Sequence, residues 1–194
     1  MLKLNQILNL TCLILIVYSC NGQKNSNNEC KERFKKARDL AYQDTNNITS
    51  LNSALLITND LLNCDSIRNA VVDFKIMLLT SLKKYKEGVG FVSSLNEKDF
   101  SFKYKKGLML KNFQALDYAD RNDSLQKIIM YSSIVNDLEQ YIKKNNLNKQ
   151  EFEEVFLDLY AVKGYFISGD QIKNEIDSLK KKYPDKSSFF DFFY

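Results

Sequence analysis

Residues 74–95 read FKIMLLTSLKKYKEGVGFVSSL. Phe74, Ile76, Leu78, Leu79 and Leu82, with Ile67 and Val71 just before, give a strongly apolar helix, since residues three and four apart share one helical face. Lys83-Lys84 interrupts it, and Tyr85-Lys86-Glu87-Gly88-Val89 starts a second helical period. The unit is therefore helix, short turn, helix. Upstream, Phe34, Ala37, Leu40 and Ala41 mark a helix from Cys30 to about Asp44. Asp44-Thr45-Asn46-Asn47 breaks it, and Thr49 or Ser50 is placed to cap a helix carrying Leu51, Ala54, Leu55, Ile57 and Leu62. Asn63-Cys64-Asp65 ends that helix, and Asp65 or Ser66 can cap the next.

The same alternation continues downstream. It predicts four antiparallel hairpins: 30–44 with 49–63, 66–82 with 85–96, 101–120 with 123–145, and 148–167 with 169–183. One proline and six glycines in 194 residues agree with a helical chain and short turns.

A repeating hairpin calls for comparison with repeat families. Tyr85-Lys86-Glu87-Gly88-Val89 resembles a tetratricopeptide (TPR) repeat, which places an aromatic, two polar residues, a small residue and an aliphatic one there. The small position, where two helices cross closely, is Gly88. Residues 106–123, KGLMLKNFQALDYADRND, and 155–185, VFLDLYAVKGYFISGDQIKNEIDSLKKKYPD, are weaker echoes, with Gly164, Gly169 and Pro184-Asp185 near a repeat's packing, turn and exit positions. The resemblance covers residues 65–185. It implies an all-α fold, a right-handed superhelical stack of antiparallel hairpins over 30–184, in which stacking buries the face each hairpin cannot bury alone.

In an antiparallel first hairpin, Cys30 and Cys64 are neighbours. They are a disulfide candidate, whose loop closure would contribute about 3 kcal/mol. Two separate buried thiols are the alternative.

The N-terminus decides compartment. Lys3 precedes an apolar run from Ile7 to Tyr18 that is too short to span a bilayer and fits a signal-peptide core. It ends in Val17-Tyr18-Ser19-Cys20, which resembles the lipobox of a bacterial lipoprotein of Bacteroidota type. In that family the cysteine thiolate accepts diacylglycerol, so the resemblance implies a signal peptide over 1–19 and lipidation at Cys20. Tyr18 stands where the family has a small residue, and ordinary cleavage at the same bond, releasing a secreted protein, is the alternative. Residues 21–28, NGQKNSNN, cannot bury apolar area and read as a polar tether over 20–29. An oxidising envelope also suits an even pair of remaining cysteines.

The chain carries no histidine, which removes the commonest general base and zinc ligand. There is no glycine-rich phosphate loop, and no cofactor or metal is expected. Glu151, Glu153, Glu154 and Asp158 form the densest acidic run, and a solvated helix face explains it better than a hydrolytic carboxylate pair. Without Lys3 the net charge falls from +4 to +3, with the lysines interleaved among acids, so nucleic-acid binding has little support.

Three further signals concern partners. TPR domains bind peptides in the groove of their first helices; Lys105, Lys106, Lys111 and Asn112 stand on such a helix, as a carboxylate clamp or as solvated side chains. Asp65-Ser66-Ile67, Asp123-Ser124-Leu125 and Asp177-Ser178-Leu179 resemble the O-glycosylation triplets of Bacteroidota, although the first two also suit helix caps. The tail 185–194 ends SSFFDFFY, and Phe189, Phe190, Phe192, Phe193 and Tyr194 either cap the stack or, on an extended chain, enter a partner's groove. The expected protein is a non-catalytic, lipid-anchored module that binds a protein partner in the outer membrane, facing the periplasm rather than the cell surface. An immunity protein against a secreted toxin and a structural accessory of an outer-membrane assembly are the other readings.

Overall fold

The computed structural model describes residues 27–193, which form helices joined by short turns, with no strand among them. They fall into two compact units that divide between Lys84 and Tyr85. The division falls inside the second expected hairpin, 66–82 with 85–96.

The first unit contains α1 (27–43), α2 (Ile48–Leu61) and α3 (Arg68–Ser81). Asn47, rather than Thr49 or Ser50, caps α2: its Oδ1 accepts from the Ser50 N–H at 3.0 Å. Nor does Asp65 or Ser66 cap α3, because residues 65–67 form a 3₁₀ turn that leads into the helix through Ile67, without a side-chain cap. Ala37 and Ala41 of α1, Leu51, Ala54, Leu55 and Leu61 of α2, and Val71, Val72, Leu78 and Leu79 of α3 form the buried core. The alanines on α1 and α2 keep the side chains between neighbouring helices small. Phe34 meets the Phe74 ring edge-on at 5.5 Å.

The second unit runs α4 (Tyr85–Ser94), α5 (Tyr104–Asp120), α6 (Ser124–Lys144), α7 (Lys149–Lys163), α8 (Gly169–Lys182) and the short α9 (Ser187–Phe190), with 3₁₀ turns at 97–99, 184–186 and 191–193. Side-chain caps start three of these helices. Asp123 accepts from Gln126 N–H, Asn148 accepts from Glu151 N–H, and Ser168 and Gln171 form a reciprocal capping box. α4 packs on α5, α5 on α6 and α6 on α7. A continuous core joins Leu108 and Ala115 of α5, Tyr131, Ile134 and Leu138 of α6, Phe152, Phe156, Leu159 and Tyr160 of α7, Ile176 of α8 and Phe190 of α9.

Two turns put ordinary side chains in the left-handed region, Lys83 (φ 54°) and Asn122 (φ 60°). Both close a Schellman motif. Lys84 N–H reaches Leu79 C=O while Lys83 N–H reaches Thr80 C=O, and Asp123 N–H reaches Tyr118 C=O while Asn122 N–H reaches Ala119 C=O. The four carbonyls a helix leaves unpaired at its end are thereby partly satisfied.

Gly88 sits on α4 over the Phe113 ring of α5. A Cβ there would stand 2.5 Å from Phe113 Cζ, inside van der Waals contact. The position thus accepts glycine and excludes alanine.

Candidate functional site

The candidate clamp residues Lys105, Lys106, Lys111 and Asn112 all lie on α5. Lys105, with its side chain only 16% exposed, pairs with Asp158 at 2.6 Å and Glu154 at 3.1 Å on α7. Burial alone would lower its pKa, but the two carboxylates hold it above the ordinary lysine value. Tyr104 donates to the same Asp158 at 2.8 Å, and burial together with that carboxylate raises its phenol well above the usual range. Lys106 donates to the Leu95 carbonyl, and Lys111 donates to Ser133 Oγ at 2.7 Å and to Asp137. Asn112 is half-buried. These cations are joined to partners within their own unit, a different state from solvated lysines. The acidic run is partly exposed and partly paired: Glu154 and Asp158 hold Lys105, Glu151 accepts from Tyr141, and Glu153 faces Lys149 at 3.9 Å.

A second network of the same kind lies across α6, α7 and α8. Lys163, 11% exposed, bridges Glu139 at 2.9 Å and Glu175 at 2.7 Å, and Tyr160 donates to Glu175 at 3.0 Å. Burial lowers the Lys163 pKa less than the two carboxylates raise it. In both networks a tyrosine and a lysine donate to the same carboxylate oxygen, Oδ2 of Asp158 and Oε2 of Glu175.

The C-terminal tail is helical, in a short helix and a 3₁₀ turn, not the extended chain that entry into a partner's groove assumes. It folds back on its own unit. Phe190 is fully buried, with its ring 5.5 Å from Phe156 and 6.0 Å from Phe152; Phe189 lies 6.1 Å from Phe152 and Phe193 lies 5.3 Å from Tyr160. Lys180 of α8 pairs with Asp191 at 2.6 Å, and the Lys186 ammonium sits 4.2 Å over the Phe152 ring. Phe192 alone among the described tail aromatics is strongly exposed, at 78%. Tyr194 and Cys20 lie outside the described residues. Between the tail and the start of α7 runs a groove of about 730 Å³, floored by Phe152, Leu157, Phe189 and Phe192.

Cys30 and Cys64 are joined in a disulfide, S–S 2.06 Å, with Cα atoms 6.3 Å apart. Of the glycosylation-like triplets, Asp123 is spent as the α6 cap, Ser66 donates to Asn27, and Ser178 donates to the Asn174 carbonyl within α8.

One surface escaped the sequence reading. On α6 the residues Tyr131, Ile134 and Leu138 face the core, while Leu125, Ile128 and Ile129, at i, i+3 and i+4, point the other way and are 68%, 48% and 44% exposed. Tyr165, 59% exposed, stacks at 4.6 Å on Tyr131, one turn on from Ile128, and exposed Phe166 follows it. The signal was present as a helix apolar on both sides, but periodicity alone does not say which side is covered.

Among the described residues no cluster of histidine, cysteine, aspartate or glutamate could hold a metal, and no helix is long and apolar enough to cross a membrane. The chain matches no protein-family model, no curated protein and no solved structure.

Proposed function

We propose that the protein is a bacterial lipoprotein, anchored in the outer membrane through lipid on Cys20, whose TPR-like helical domain faces the periplasm and binds a protein partner without catalysis. The observation that carries the reading is the order of segments. An apolar run stops at Val17-Tyr18-Ser19-Cys20, a polar tether follows, and a helical-hairpin domain begins within ten residues. A tether of that composition keeps a domain near a membrane without adding contacts of its own. The consecutive antiparallel packing of α4 to α7 supports the superhelical stacking a TPR-like domain requires. The absence of histidine from the sequence and the internal pairing of Lys105, Glu154 and Asp158 favour binding over catalysis.

The test is affinity capture from intact membranes, comparing wild type, Cys20→Ala and a chain ending at Lys186. The reading expects a discrete protein partner retained by wild type in the outer-membrane fraction and a soluble Cys20→Ala protein. Unchanged membrane location of Cys20→Ala contradicts the anchor, and turnover of an envelope metabolite by the purified domain contradicts the non-catalytic role.

A further inference from the structure

The groove between the tail and the start of α7 lies wholly within the second unit, and an exposed ring stands at it. Phe152, Leu157, Phe189 and Phe192 line a space of about 730 Å³. The fold of the tail buries Phe190 and half-buries Phe189 and Phe193, yet Phe192 remains 78% exposed. Moving such a ring into an apolar groove takes both surfaces out of water, which is favourable. Phe192 is part of the lining in its own chain and cannot also fill the space. The Phe192 of a second chain can.

The rim of the groove decides what kind of chain enters. Lys149 and Lys186 stand there with Glu153, Glu154 and Asp185. Glu154 is engaged by Lys105, which leaves two cations and two carboxylates. Lys149 is 85% exposed and meets Glu153 only at 3.9 Å, the Lys186 ammonium lies over the Phe152 ring, and Asp185 is exposed. A strongly acidic or strongly basic partner would meet as many like charges as opposite ones there. A surface carrying both signs in equal number is complementary to itself, because a two-fold axis sets each residue of one copy against different residues of the other. We infer that this groove is a self-association surface, through which two copies of the chain pair about a two-fold axis. Each copy inserts Phe192 into the groove of the other, and the lysines of each rim face the carboxylates of the opposite rim. One ring and four charges per copy make a small contact, so the pair is weak, dissociating at about 10–100 µM.

The test is sedimentation equilibrium of residues 21–194, which keep every described residue, from about 1 µM to about 1 mM. Wild type should pass from monomer to dimer over that range and stop there, because a two-fold contact closes on itself. Phe192→Ser should weaken pairing by about tenfold or more and leave the melting temperature of the dilute protein unchanged, since the ring is solvated in the single chain. Lys149→Glu with Lys186→Glu makes the rim acidic, and Glu153→Lys with Asp185→Lys makes it basic. Each of these chains alone should stay monomeric, and the two mixed should pair at least as well as wild type. The sequence contains no tryptophan, so Phe192→Trp adds a single probe, whose emission should shift to the blue as concentration rises. A wild type that is monomeric up to about 1 mM overturns the inference, as does a dimer that survives Phe192→Ser. So do rim variants that fail to pair on mixing although both melt like wild type, and a tryptophan emission already blue-shifted at every concentration, which would mean that the groove is filled from within the same chain.

Discussion

Gly88 lies against the ring of Phe113, with no room between them for a methyl group. Phe113 is 1% exposed and hemmed in, so the ring cannot swing aside cheaply. Gly88→Ala should therefore destabilise the second unit by about 1–3 kcal/mol, although alanine is the better helix former. Thermal unfolding checks this, and Phe113→Leu in the same chain should recover part of the loss; a Gly88→Ala protein as stable as wild type would contradict the packing.

The Cys30–Cys64 bridge closes a loop of 34 residues in a unit whose described part has only three helices. Replacing both cysteines with serine should cost about 3 kcal/mol, felt in the first unit. Denaturant unfolding followed by hydrogen exchange reads it. Loss of protection in α1 to α3, with α5 to α7 unaffected, is the expected pattern.

Two of the tail aromatics, Phe190 and Phe192, should part company. Phe190→Ala removes a fully buried ring from a cluster of Phe152, Phe156 and Tyr183, and should cost about 3–5 kcal/mol. Phe192→Ala should stay within about 0.5 kcal/mol of wild type, because the ring is solvated. Equal effects would mean that the tail does not fold back as described.

Stability should fall on the alkaline side. Lys105 and Lys163 have pKa values raised by their carboxylate partners, and burial raises the Tyr104 and Tyr160 phenols and pushes Tyr131 up to about 12. In each case the folded state holds its proton more tightly than the unfolded chain, so the stabilisation is complete below the unfolded pKa, near 10 for both types, and is lost as pH rises through the folded value. Melting temperatures should be level from neutrality to about pH 9 and decline above about pH 10. Lys105→Met should shift the steepness of that decline.

Much of the helical outline can be read directly from the residues. Asp44 to Asn47, Asn122-Asp123 and Ser168-Gly169 are polar breaks at the ends of apolar periods, and helices do stop and start there. What escapes a linear reading is whatever depends on distant residues. Lys105 finds Glu154 and Asp158 some 50 residues away, so a local reading shows only a lysine in a polar helix. Asn47 outcompetes Thr49 and Ser50 as a cap because the helix starts two residues earlier than its apolar face suggests. The tail's aromatics read either as a cap or as a segment for a partner's groove, and the ring-lined face of α7 that receives Phe190 is not visible in a linear reading.

The account rests above all on the state of Cys20, and one measurement addresses it: intact mass of the amino-terminal peptide from protein purified out of the outer membrane, beside the Cys20→Ala variant. The account predicts a chain that begins at Cys20 and carries diacylglycerol on its sulfur, with the alanine variant absent from that membrane. A mature chain with an unmodified Cys20, or one that begins elsewhere, would contradict it.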